Sequence, residues 1–143
     1  MKQPVMLSIC GKQSYMDQEP EIIELVTEGT LEQTETGWEI VYQESDLTGL
    51  AGVTTSFLVE REKITLTRTG PLKSQMVFQQ GIPHDSLYQM EFGALLLTVC
   101  AKKIDYVLSA QGGTVDLSYS IEIEQSSAGI IDYHLDVSTM NHS

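Results

Sequence analysis

The sequence predicts an all-β fold, a single closed antiparallel meander barrel of about eight to ten strands. Three observations predict it. Apolar and polar residues take turns through much of the chain, the pattern of strands with one buried and one wet face. Eleven glycines, most of them roughly 8–19 residues apart, mark tight turns between short strands. The 143 residues carry no Pro-rich linker, charge block or fixed repeat, so a single β-barrel domain over 1–143 accommodates them.

Strands are expected near 3–13, 21–33, 37–45, 52–60, 62–69, 72–80, 86–91, 93–101, 103–110, 113–124 and 129–138, two of them merged or irregular. Val5, Leu7 and Ile9 share a phase. Pro20 to Gln33 reads two ways. Pro20 suits the first position of a helix, whereas Gly29 and the cluster Ile22, Ile23, Val26 and Thr27 favour a strand. Trp38, Ile40 and Tyr42 share a phase, and Lys63 to Thr69 is rich in β-branched residues. Ile82 to Met90 admits a loop or one helical turn around Pro83. Gly93 to Ala101 is apolar on both phases, which predicts a strand covered on both faces. Val115, Leu117, Tyr119, Ile121 and Ile123 alternate with polar residues, as do Ile131, Tyr133, Leu135 and Val137, and Gly129 between them makes a hairpin. Ser138 to Ser143 leave the pattern and are expected to fray. A meander of this size closes into a barrel or splits into a sandwich. Closure removes exposed edges and encloses room for side chains or one small ligand.

Eight Lys and Arg stand against 20 Asp and Glu, a formal charge of -12. That balance argues against nucleic acid, whose phosphates need clustered cations, and against an anionic membrane surface. The start, MKQPVMLSICGKQ, lacks the apolar length and cleavage site of a secretory signal, and no run approaches the roughly 20 apolar residues of a membrane helix. A soluble, cytoplasmic protein is the expectation. Cys10 and Cys100 are then reduced thiols packed as small hydrophobes. Glu19, Glu21, Glu24, Glu28, Glu32 and Glu35 form a solvated acidic face that favours solubility.

ELVTEG at 24–29, YQESDLTGLAGVTT at 42–55, LTRTG at 66–70, SQMVF at 74–78 and YQMEFGALLLTV at 88–99 resemble the YwiB-like family of bacterial proteins. The likeness covers nearly the whole chain. It implies a calycin-like, lipocalin-like closed barrel in a cytoplasmic bacterial protein, and it implies no activity. Gly37-Trp38 is not the lipocalin Gly-x-Trp signature, because its spacing differs and it falls on the third strand.

Two charges fall on apolar phases. Glu44 continues the series Trp38, Ile40, Tyr42, and Arg68 continues Ile64, Leu66. A charge on a core face is costly unless paired, so the two are expected to meet inside or at the mouth of the barrel, where an arginine fork suits a carboxylate. There are three readings: a lumen site, with Arg68 holding an anionic ligand that Glu44 orients; a structural ion pair at the core or rim that binds nothing; or a strand that ends at Arg68 and lets it reach solvent. Tyr42, Phe57, Met76, Phe78, Tyr88, Met90 and Phe92 sit on inward phases, as pocket lining or as packed core. Ser45 to Gly52 could form a backbone nest for an anion, but it lacks the Lys and helix of a P-loop and reads better as a turn or bulge.

Metal binding is not expected. His84, His134 and His142 are scattered, and Asp132, His134 and Asp136 share a polar strand face of the kind that is usually solvated. No elbow motif supports a Ser-His-Asp reading of His84-Asp85-Ser86. The expected function is therefore a non-catalytic barrel without cofactor, binding a small apolar or amphipathic ligand through Glu44, Arg68, Tyr42, Phe57, Met76, Phe78 and Tyr88. The alternative is a filled barrel that binds a protein partner or a second copy.

Overall fold

Every regular element among the described residues of this computed structural model is a strand; those residues are 2–14, 19–44, 51–71, 73–90, 93–124 and 126–139. The ten strands are β1 (Gln3–Ser14), β2 (Glu21–Gln33), β3 (Gly37–Gln43), β4 (Thr54–Glu60), β5 (Lys63–Thr69), β6 (Ser74–Gln79), β7 (Pro83–Met90), β8 (Gly93–Ser109), β9 (Gly112–Ile123) and β10 (Ser126–Thr139). They form one antiparallel sheet in the order β6-β5-β4-β3-β2-β1-β10-β9-β8-β7. No helix long and apolar enough to cross a membrane occurs among the described residues.

The first and last strands are neighbours, joined by a ladder from Val5–Thr139 to Ser14–Ile130. The barrel closes instead between β6 and β7, and there only in part. Lys73 and Gln89 exchange backbone hydrogen bonds of 3.0 and 2.9 Å, and the Ile82 amide donates to the Gln79 carbonyl at 3.0 Å. Between those two points β6 and β7 form no ladder. The barrel is nearly closed, with a slit between two pinned ends.

Period-two patterning determines which side chains fill it. Val5, Leu7, Ile9, Leu31, Ile40, Phe57, Val59, Ile64, Phe78, Val99, Leu117 and Leu135 all point inward and belong to one buried cluster. Phe78 packs on Tyr119 with ring centroids 4.5 Å apart. Burial of such side chains contributes roughly 1.5–3 kcal/mol each before chain entropy is subtracted.

Several expectations change. Of the two readings of Pro20–Gln33 the strand is the right one, over Glu21–Gln33, because the β1 ladder from Gln3–Leu31 to Gln13–Glu21 satisfies its backbone. No helical turn forms at Pro83. It opens β7, where its missing amide proton costs nothing in the middle of a ladder. Segments 93–101 and 103–110 are one strand, β8, carrying a bulge between Ala101 and Lys103. That strand is not fully covered on both faces: Leu97, Val99 and Ala101 are buried, while Leu96, Thr98 and Cys100 on the opposite phase are only half-buried. Ser138 and Thr139 do not fray, since they pair with Met6 and Val5. Residues 140–143 lie outside the described residues.

Candidate functional site

Neighbouring strands bring one inward-facing row of side chains together near an end of the barrel. Tyr42 of β3 lies opposite Thr55 of β4, Thr55 opposite Arg68 of β5, and Arg68 opposite Ser74 of β6. Residues directly opposite on one face have Cβ atoms about 5 Å apart, so four polar side chains follow one another across four strands. Glu44 follows β3 one inward step beyond Tyr42, and its amide donates to the Val53 carbonyl at 2.8 Å.

The expected charge pair forms. Arg68 Nε lies 3.9 Å from Glu44 Oε2, with the Glu44 side chain only 2% exposed and that of Arg68 18%. The contact is ionic and too long for a hydrogen bond. Glu44 takes its hydrogen bonds elsewhere. The Thr55 hydroxyl donates to its Oε2 at 2.5 Å, and the Tyr42 phenol lies within reach of its charge. Tyr133 of β10 lies beside Tyr42 in turn. Burial, reinforced by the Glu44 charge, pushes the Tyr42 phenol up to about 12. Burial, with Tyr42 beside it, holds Tyr133 well above the ordinary phenol range. Both phenols stay protonated and can donate. The result is a buried polar row, Tyr133, Tyr42 and Glu44, with Thr55 donating to the carboxylate.

Arg68 is left short. Its Nε is buried with no hydrogen-bond partner, and so are the hydroxyls of Ser74 and Ser86. Such groups cost about 1–3 kcal/mol each when nothing compensates them. All three residues line one cleft of about 550 Å³ at the β6–β7 slit, together with Thr67, Lys73, Val77 and Leu87 among others. Ser86 shares the inward phase of β7, opposite buried Leu97 of β8.

The other sequence candidates sit elsewhere. Tyr42, Phe57, Met76 and Phe78 are buried members of the core cluster. Phe57 stacks between Tyr42 at 6.3 Å and Tyr133 at 5.6 Å. The side chains of Tyr88 and Met90, Phe92, and the greater part of the Ser45–Gly52 loop lie outside the described residues. Thr55 and Ser74 were not singled out by the sequence, while Ser86 entered only as part of a rejected triad and Tyr133 only as a strand position. Ser74 shares a phase with Met76 and Phe78, and Thr55 with Phe57, which was a signal available for both.

A second cluster lies on the outer face. His134 of β10 meets Asp116 of β9 through Nδ1 at 2.5 Å and Asp136 through Nε2 at 3.1 Å. A ring whose two nitrogens both face carboxylates is favoured in its doubly protonated form, the one that can donate from both. Its pKa is raised, first by the hydrogen bond to Asp116. Among the described residues no group of three acidic, Cys or His side chains is arranged to hold a metal. Cys10 and Cys100 are free thiols.

Fold and site together define a class: an all-β, nearly closed antiparallel barrel with a polar slit in its wall. Residues 7–137 match the family model of a domain of unknown function, DUF1934, and the chain belongs to that family. It is also similar in structure to the ywiB protein from Bacillus subtilis, with a TM-score of 0.83 and 22% identity, over 96% of this chain and 94% of that one. At that identity the likeness shows the fold. No curated protein matches the chain.

Proposed function

We propose that this chain is a non-catalytic barrel that binds a small amphipathic molecule at the β6–β7 slit. Arg68, Ser74 and Ser86 are its polar contacts, and Glu44 is the counter-charge that orients Arg68. One observation carries the reading. Among the described residues, every buried side-chain polar atom without a partner belongs to a residue lining that one cleft. Native structures rarely leave such groups orphaned, and their convergence is what a polar ligand contact requires. The calycin-like relationship and a cytoplasmic setting, which free thiols suit, belong to the same proposal.

The test is native mass spectrometry of freshly purified protein, with a fluorescent apolar dye as a second readout. The expected result is a retained small-molecule mass, or dye displaced by added lipid, with both lost in Arg68→Met. A bare chain mass together with no displaceable dye overturns the reading.

A second reading, a surface for a protein partner or second copy, draws on exposed Ile22 and Val26, 59% and 67% exposed on the outer face of β2. Light scattering checks it: a clean monomer at micromolar concentration removes the second-copy form.

A further inference from the structure

We infer that the slit takes its ligand by a monoanionic acceptor of the carboxylate class, seated on Arg68 Nε–H and the Ser74 and Ser86 hydroxyls. This rests on the reading of the slit as a ligand site and adds the chemistry of the ligand. The unmet need is for an acceptor. An arginine Nε can only donate, and the two serines are free to donate alongside it. Glu44 does not fill the role, because Thr55 holds its Oε2 at 2.5 Å and leaves it 3.9 Å from Arg68 Nε. A carboxylate reaching hydrogen-bond distance of Nε would gain a charge-assisted bond that the protein itself does not supply.

Local charge limits the anion. Arg68 and Lys73 line the cleft, but so does Asp85, and Glu44 stands behind Arg68. The site is close to neutral, and a dianion such as phosphate would meet two carboxylates. Val77 and Leu87, on the walls of the same cleft, offer an apolar path for a tail. An extended peptide does not fit. A strand inserted between β6 and β7 needs about 4.8 Å of spacing on each side along its whole length, and the slit is pinched shut by direct bridges at Lys73–Gln89 and Gln79–Ile82.

The test uses full-length protein and three probes, octanoate, octanol and inorganic phosphate, followed by two-dimensional NMR of the Arg68 Nε–H and the Ser74 and Ser86 amides. Octanoate is expected to shift all three saturably. Its affinity should fall at least tenfold in Arg68→Met, and also in Ser74→Ala/Ser86→Ala, a variant that removes only unpartnered hydroxyls and so keeps the fold. Octanol binding at the same residues as tightly as octanoate would overturn the carboxylate assignment and leave the ligand site standing. Phosphate binding more tightly would also overturn it. No saturable shift with octanoate would sink the inference. The wider reading falls with it only if the mass and dye experiments are negative as well.

Discussion

Arg68 and Glu44 show how a partly formed ion pair differs from a stabilising one. Both charges are taken from water, yet the Arg68 Nε contact stops at 3.9 Å. Breaking a buried pair costs about 3–5 kcal/mol, because it strands the surviving charge. Arg68→Met should fall near the low end, about 3 kcal/mol in a urea titration, since Glu44 keeps its Thr55 donor. The serines behave in the opposite way. Ser74→Ala and Ser86→Ala remove hydroxyls that have no partner, so unfolding midpoints of the free protein should stay level or rise. A drop of more than about 1 kcal/mol in both would show that the hydroxyls are already satisfied.

His134 makes a pH prediction of known sign. Its pKa is raised in the fold by Asp116 and Asp136. The stability it contributes is therefore fully present below the unfolded value, near 6.5, and is lost as pH rises through the higher folded value. Melting temperatures of the wild type and His134→Gln, taken between pH 5.5 and 9, should differ most at the acid end and converge toward the alkaline end. A gap that widens with pH would refute the assignment. The exposed setting keeps the effect modest.

At the scale of the element, hairpins determine register, and register determines which side chains share a row. Turn Ser109–Gly112 is the tightest case. Gly113 has φ 145°, and a Cβ there would fall on the Val107 carbonyl oxygen. Gly113→Ala should cost about 2–4 kcal/mol by denaturant titration, combining steric overlap with backbone strain. The β8 bulge at Ala101–Lys103 acts the other way, letting one strand serve two stretches of wall. Sequence patterning separated those stretches because a bulge breaks the period of two just as a turn does. Gly93–Ala101 was misjudged for a related reason. Apolar residues on both phases suggest double cover, but the outward phase, Leu96, Thr98 and Cys100, is only half-buried because no element packs fully over it.

At the scale of the molecule, the barrel has a strong join and a weak one. Ten residues of β1 ladder onto β10, whereas β6 and β7 meet only at their ends. Opening free energies follow such differences in backbone pairing. Hydrogen exchange should find the β1–β10 amides among the slowest in the protein and the slit-facing amides of β6 and β7 among the fastest. Saturating octanoate should slow the slit amides selectively. Uniform protection around the barrel would contradict the partly closed wall.

Much of this was legible beforehand. Alternation and glycine spacing predicted strands and a closed meander, since a period of two reports on burial residue by residue. The pairing of Glu44 with Arg68 was also legible, because two charges on apolar phases must find each other. The slit, the orphaned donors of Ser74 and Ser86, and the meeting of Thr55 with Glu44 were not. Each depends on which strand lies beside which, and on how far apart two strands stand. Local patterning says which way a side chain points; only the folded chain settles what it meets there, because hydrogen-bond satisfaction is a property of distances between segments remote in sequence.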